Sequence, residues 1–189
     1  MRNCFAPQLV GVIFLVLLAM ETVIAQNSRF IIRQFLPEEK NMYVDLWADA
    51  EVALYLPKRT QEETRQIFKA ALQDYTAGEV LGKWGIFNAA DNDFIGMCLL
   101  RYFNESGPVE IGYALHKKYW GKGIATAMAK ALISYAFDKT NTQEIVAVTS
   151  LENVGSQYVL EKAGLRRQEN INRFGAEAAF FKLNKADLY

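Results

Sequence analysis

The stretch Tyr119-Trp120-Gly121-Lys122-Gly123-Ile124-Ala125-Thr126 concentrates the chemistry that residue types and spacing suggest. Small residues at 121, 123 and 125 let the backbone approach a ligand closely. The stretch follows a strand-like run and opens an apolar helical pattern. Unpaired N–H groups at such a helix start attract an anion such as a pyrophosphate. Two common phosphate motifs do not fit. A Walker A loop needs Ser or Thr after its lysine, and Gly123 follows Lys122. A dinucleotide fingerprint, G-x-G-x-x-G, meets Thr126 at its third glycine. Its acidic partner about 20 residues on would be Glu144, which begins a strand instead of ending one. Lys122 reads as a solvated side chain within reach of a phosphate.

The remaining inventory narrows the chemistry. One histidine, His116, and two cysteines, Cys4 and Cys98, argue against a His-based metal site, a Ser-His-Asp triad, a multi-cysteine zinc site and a disulfide scaffold. His116 reads as a surface residue at a strand end, and Cys98 as core. The 21 Lys+Arg balance 21 Asp+Glu, which argues against a general nucleic-acid binder. A chain of 189 residues, 51% apolar, fits one domain with a sizeable core. Any catalysis then rests on backbone dipoles, carboxylates, hydroxyls or a bound cofactor.

The elements that must position this loop follow from periodicity. Residues 29–35 (RFIIRQF) read as a first strand. Pro37 suits a first helical turn, with Glu38 and Glu39 favourable there, and Met42, Tyr43, Leu46 and Trp47 give an apolar face. Thr60-Gln61-Glu62-Glu63 has the capping-box pattern for a second helix that ends near Gly78. Residues 83–88, 94–103 and 109–115 read as an antiparallel meander. Residues 124–137 carry two adjacent apolar i, i+4 rows of a helix. Residues 144–149 form a strand and 153–163 a helix ending at Gly164; 165–171 and 178–183 read as two last strands. The order β-α-α-β-β-β-α-β-α-β-β is a mixed α/β domain. Its central crossover should be parallel and right-handed.

The N-terminus has two readings. Leu9–Met20 is almost purely apolar, too short to span a bilayer, which takes about 20 residues. It matches a signal-peptide core with Val23-Ile24-Ala25 as cleavage site, which would make residues 1–25 a leader and send the protein to the periplasm or outside the cell. Alternatively Met20 is the true start and the protein is cytoplasmic. Either way, residues 1–19 lie outside the fold, and no stable membrane span is expected.

Trp120–Ala125 resembles the acetyl-coenzyme A loop, [QR]-x-x-G-x-[GA], of the GNAT N-acetyltransferase superfamily. Trp120 stands where that pattern has Gln or Arg, and a Trp there is typical of the RimJ/RimL-like branch. Two flanking blocks are also similar to that branch: Glu110-Ile111-Gly112-Tyr113 before the loop, and Asn153-x-x-Ser156-x-x-x-Leu160-Glu161-Lys162-x-Gly164-Leu165 after it. Residues 29–33 resemble its first strand. The likeness runs from about 28 to 188, the expected domain. It implies a GNAT fold whose strands 110–115 and 144–149 splay apart to admit acetyl-CoA, with no metal. It implies direct acetyl transfer to a primary amine of a peptide or small molecule, by a monomer or homodimer. A catalytically silent acyl-CoA-binding module and an exported amine modifier are the rival readings.

The resemblance also distributes roles. Backbone N–H groups of Gly121, Lys122, Gly123, Ile124, Ala125 and Thr126 would hold the pyrophosphate, with a hydroxyl from Thr126, beside Trp120 and Leu115. A backbone N–H in 112–115 would hold the oxyanion. Asn153 would cap its helix and meet the pantetheine arm. Ser156 would stabilise the departing thiolate, against a reading as local backbone hydrogen bonding. Many GNAT enzymes use a Tyr where this chain has Leu160, and Tyr158 ranks below Ser156. Glu110 is the candidate base, taking a proton from the acceptor ammonium through water; an ordinary solvated carboxylate is the competing reading. Tyr43, Trp47, Tyr55, Trp84 and Phe174 read mostly as core, with a few at the acceptor pocket. Asn104-Glu105-Ser106 is a glycosylation sequon that matters in a secretory route alone.

Overall fold

Strand runs this apolar must be covered on both faces, and helices from either side do so around one mixed sheet. The computed structural model describes residues 22–105, 107–173 and 175–188. Cys4, the apolar run 9–20, Ser106 of the sequon and Phe174 lie outside the described residues. The chain runs β1 (Val23–Gln26), β2 (Phe30–Arg33), α1 (Lys40–Ala48), α2 (Ala50–Ala53), α3 (Gln61–Ala77), β3 (Lys83–Asn88), β4 (Phe94–Tyr102) and β5 (Val109–Leu115). It continues through α4 (Ile124–Lys139), β6 (Glu144–Ser150), α5 (Val154–Ala163), β7 (Arg166–Arg167), β8 (Ile171–Arg173) and β9 (Ala176–Asn184). The sheet order is β1-β2-β3-β4-β5-β6-β9-β7, with β8 also on β9.

Alternation sorts side chains between two cores. Ile86, Leu100 and Ile111 pack with Met128 and Leu132 of α4 and Leu160 of α5. Phe87, Met97 and Ala114 pack on the other side with Tyr43 and Leu46 of α1 and Phe68 of α3. The apolar rows of α4 are legible as such: Met128, Ala129, Leu132 and Ala136 are fully buried. Burying each leucine-sized side chain contributes about 1.5–3 kcal/mol. The capping box of α3 is complete. Thr60 Oγ1 accepts from the Glu63 N–H at 3.2 Å, and Glu63 Oε2 accepts from the Thr60 N–H at 2.7 Å.

The crossover from β5 through α4 to β6 is parallel, as expected, but the two strands pair at Val109–Ile145 and Glu110–Val146 alone among the described residues. Beyond that point they diverge. β5 stays paired with β4 along its whole length, and β6 with β9. The gap between them is the feature the rest of the fold serves.

Four readings are corrected by the structure. The sheet takes in Val23–Gln26, upstream of the expected boundary at 28 and inside the segment read as a leader; β1 pairs antiparallel with β2. Four residues are too few to show a period, so the small-residue pattern masked the strand. The first strand spans 30–33, not 29–35, because Phe35 turns into the α1 side of the core. The helix expected from Pro37 begins as a 3₁₀ turn, Pro37–Glu39, because Glu39 is drawn inward onto buried Arg33 at 2.7 Å and accepts from the Leu36 N–H at 2.8 Å. The last hairpin is broken differently. Residues 165–171 are not one strand: β7 and β8 each pair with part of β9, and the polar residues 168–170 between them lie off the ladder. The short helix α2, capped by Asp49, was not read from the sequence.

Candidate active site

The loop 119–126 is held from both ends. Trp120 Nε1 donates to the Leu115 carbonyl at 2.7 Å, tying the loop to the end of β5. Ile124 is 7% exposed and anchors the first turn of α4 in the core, while Gly121, Lys122 and Gly123 face solvent. Gly121 and Gly123 have φ of 70° and 72°, a left-handed conformation that a side chain disfavours. This kink turns the loop backbone outward and leaves the start of α4 open. Arg29 Nη1 donates to the Lys122 carbonyl at 3.2 Å. Beside it lies a cleft of about 320 Å³ lined by Arg29, Gly123, Thr126, Ala127, Lys130 and Lys162. Three cations and an open helix N-terminus suit a ligand with several phosphates.

The interior of the gap is polar at one point. Tyr113 Oη of β5 lies 3.0 Å from Ser156 Oγ of α5. Ser156 is fixed in turn, because its N–H donates to Asn153 Oδ1 at 3.0 Å, the helix cap expected of Asn153. Burial pushes the Tyr113 phenol up to about 12, with the Ser156 hydrogen bond opposing. The phenol therefore stays protonated at any pH where amines react.

Glu110 stands where β5 and β6 part, on the α1/α3 side, and it is buried. Arg101, directly opposite on β4, donates from Nε to Oε2 at 2.9 Å and from Nη2 to Oε1 at 3.0 Å. Arg173 Nη2 reaches Oε2 at 3.3 Å. Glu110 is thus no solvated carboxylate: two guanidiniums share it. The Arg173 guanidinium sits 4.4 Å from the Phe103 ring, and Phe103 packs against Phe180 with ring centroids 5.7 Å apart.

The acetyltransferase (GNAT) domain model matches residues 29–166, most of the chain. The chain belongs to the GNAT acetyltransferase family. It is 28% identical over 145 residues to the uncharacterised N-acetyltransferase YnaD of Bacillus subtilis, covering 75% of this chain and 82% of that protein. It superposes on a GNAT-family acetyltransferase from Bacillus anthracis with a TM-score of 0.73 at 23% identity, covering 87% and 99% of the two chains. It superposes on RimL, a ribosomal L7/L12 α-N-protein acetyltransferase in complex with coenzyme A, with a TM-score of 0.72 at 16% identity, covering 86% and 98%. The expectation of a GNAT fold is met.

As a GNAT enzyme the protein takes acetyl from acetyl-CoA and gives it to an amine. Its residues fit that co-substrate. The cationic cleft lies at the start of α4, and the unpaired edges of β5 and β6 lead from it toward Glu110. Among the described residues there is no His, Cys, Asp and Glu cluster placed to hold a metal ion, and no helix is long and apolar enough to cross a membrane.

The structure brings Leu115, Trp120 and the residues 121–126 together at the cleft end, and Asn153 with Ser156 at the gap. The Leu115 carbonyl already accepts from Trp120 Nε1. Leu160 is buried, and Tyr158 is 57% exposed with Lys162 over its ring. His116 sits at the end of β5, its Nδ1 3.5 Å from Asp49 Oδ2. Cys98 is fully buried, and burial pushes its thiol up. Sequence reading missed Arg29, Lys130 and Lys162 at the cleft, Tyr113 as partner of Ser156, and Arg101 and Arg173 as partners of Glu110. Tyr113 and Lys162 stood in the family-like blocks; the others come together through strand register and loop return.

Proposed function

We propose that this acetyltransferase works by direct transfer, with the phosphates of acetyl-CoA in the Arg29–Lys130–Lys162 cleft and the acceptor amine entering on the α1/α3 face beside Glu110. The observation that carries this reading is the divergence of β5 and β6 just past Glu110 and Val146. It leaves one passage through the sheet, with the cationic cleft at one end and a buried carboxylate at the other.

Bound acetyl-CoA supplies a thioester carbonyl that an amine can attack. The chain orients, stabilises and moves protons. Gly121 and Gly123 keep the loop open so that backbone N–H groups of 121–126 meet the pyrophosphate. The β6-facing backbone of β5, free of a ladder partner past Glu110, offers donors to the developing oxyanion. Glu110 takes the proton lost by the amine, through water, while Arg101 and Arg173 fix its position. Ser156 donates to the sulfur as the carbon–sulfur bond breaks, and Tyr113 holds the Ser156 hydroxyl in place. No enzyme nucleophile is needed.

The acceptor is a peptide N-terminus or a small amine, and the compartment is the cytosol. Cleavage after Ala25 would cut through β1, which supports translation from Met20 over export. The test is thiol release from acetyl-CoA by the chain starting at Met20, with peptides, amino acids, polyamines and aminoglycosides as acceptors. Release with one amine class supports the reading. Acetyl-CoA binding without release from any amine overturns it.

A further inference from the structure

Lys117, Lys118, Lys139 and Lys182 each lie against a carboxylate, those of Glu51, Asp93, Asp138 and Glu144 respectively. The cleft of about 320 Å³ on α4 is built differently. Its lining contains three cations, Arg29, Lys130 and Lys162, and no acidic residue. Two of the three are held in place by uncharged groups. Arg29 Nη1 donates to the Lys122 carbonyl at 3.2 Å, and a Cβ added at Gly123 would lie 3.5 Å from the same nitrogen. Lys162 Nζ sits 4.3 Å from the centre of the Tyr158 ring. Lys130 makes no ion pair or hydrogen bond among the described residues. The cations are thus positioned without being neutralised by a residue of the cleft.

The two ends of the cleft differ in the donors they offer. Gly123, Thr126, Ala127 and Lys130 share one face of α4 at i, i+3, i+4 and i+7, so the cleft extends two turns, roughly 10 Å, down from the loop. At the upper end stand Arg29 and the backbone N–H groups of the loop and first turn. The Ala127 N–H donates to the Gly123 carbonyl at 3.2 Å, so from that residue on the backbone donors of α4 are used within the helix. An anion at the lower end is therefore met by side chains alone, Lys130 of α4 and Lys162 of α5.

We infer that Lys130 and Lys162 form a subsite for the phosphate monoester on the ribose of acetyl-CoA, with Arg29 between this subsite and the pyrophosphate on the loop. The inference rests on the placement of acetyl-CoA proposed above and adds what that placement selects: the donor phosphorylated on its ribose over the same thioester without that phosphate. The co-substrate carries two kinds of phosphate. The pyrophosphate is esterified at both ends, and its charge suits the oriented N–H donors of a helix start. The monoester is the densest charge on the molecule, about −1.5 to −2 at neutral pH, and suits the compact charge of an ammonium. Binding through the monoester acts far from the thioester, so it adds affinity in ground and transition states alike.

The test is calorimetric titration of the full chain with coenzyme A and with 3′-dephospho-coenzyme A, which needs no acceptor. Coenzyme A should bind roughly 10- to 100-fold tighter, the range of charge-assisted hydrogen bonds. The double variant Lys130→Gln, Lys162→Gln should bring that ratio below about threefold and leave the affinity for the dephospho compound within about twofold of the parent. Lys162→Arg keeps the charge and should keep the ratio. Lys69→Gln, at an exposed position of α3, should alter neither affinity. In turnover, the acetyl thioester of the dephospho compound should show a KM raised by the same factor, with kcat close to that of acetyl-CoA. Equal affinity for the two ligands, a ratio that survives the double variant, or a double variant that weakens both ligands alike overturns the subsite and leaves the placement of acetyl-CoA standing. Binding of neither ligand overturns the placement and the subsite with it. If both ligands bind and no amine releases thiol, direct transfer fails, and the affinity ratio still decides the subsite.

Discussion

Tyr113 of β5 and Ser156 of α5 face each other across the open part of the sheet, hydroxyl to hydroxyl at 3.0 Å. Tyr113 Oη also reaches the Ser156 carbonyl at 3.5 Å, so one phenol makes both side-chain hydrogen bonds that join β5 to α5 among the described residues. The phenol is buried and stays a donor, so it can fix the serine hydroxyl without competing for its proton. Tyr113→Phe should lower kcat about 3- to 10-fold, the worth of one ordinary hydrogen bond. The KM for acetyl-CoA should stay within about twofold, since uniform binding is untouched. Steady-state kinetics beside Ser156→Ala check this; a larger loss in Ser156→Ala than in Tyr113→Phe is expected. With an acetyl thioester of a more acidic thiol, both variants should recover toward the parent rate, because a better leaving group needs less help.

Glu110→Gln separates chemistry from structure at the mouth of the gap. Loss of a base acting through water should cost on the order of 100-fold in kcat. Removing the carboxylate also takes a shared partner from Arg101 and Arg173. The Arg101 side chain is 44% exposed, so the stability loss should be roughly 2 kcal/mol, below that of a fully buried pair. Urea unfolding and turnover measured on one preparation check both. A full stability loss with normal turnover would make Glu110 a purely structural tether for Arg101 and Arg173.

Lys130→Gln and Arg29→Gln should raise the KM for acetyl-CoA by about 3- to 20-fold each, with kcat near normal, as expected when a phosphate contact is lost from ground and transition states alike. The parent KM should rise with added salt, and less steeply in either variant. Gly123→Ala should add a stability cost of about 1–2 kcal/mol from its left-handed φ, visible as a lower melting temperature.

A chain starting at Gln26 should be less stable than one starting at Met20. It lacks Val23, Ile24 and Ala25, of which Ile24 and Ala25 pack against the main core. A loss of about 1–2 kcal/mol would lower the melting temperature by roughly 2–8 °C in a domain of this size. The uncovered edge of β2 should also make the shorter chain more prone to associate, which light scattering would show.

Where the local signal was strong, the structure was legible before it was seen. The bounds of β3 and β5 follow from their β-branched and aromatic runs, and α3 from Thr60 and Glu63 at one end and Gly78 at the other. The phosphate loop was legible because its glycines, its helix start and its flanking blocks coincide in two short stretches, 110–126 and 153–165. The charge partners were not. Arg101 and Glu110 are nine residues apart, but they meet through the β4–β5 register; Arg173 comes from 63 residues further on, and Arg29 meets Lys122 across 93. Such pairings depend on which strand edges meet, and no periodicity encodes that. β1 was missed for the opposite reason: its four residues, Val23 to Gln26, carry too little pattern to show a strand.

Two residue pairs hold the whole sheet together at its centre. To one side lie β1 to β5, to the other β6 to β9, and each half is continuous in itself. A substrate lying between them is therefore also a splice. While it occupies the seam it adds contacts between two halves that otherwise meet through those two pairs and the core beneath α4 and α5.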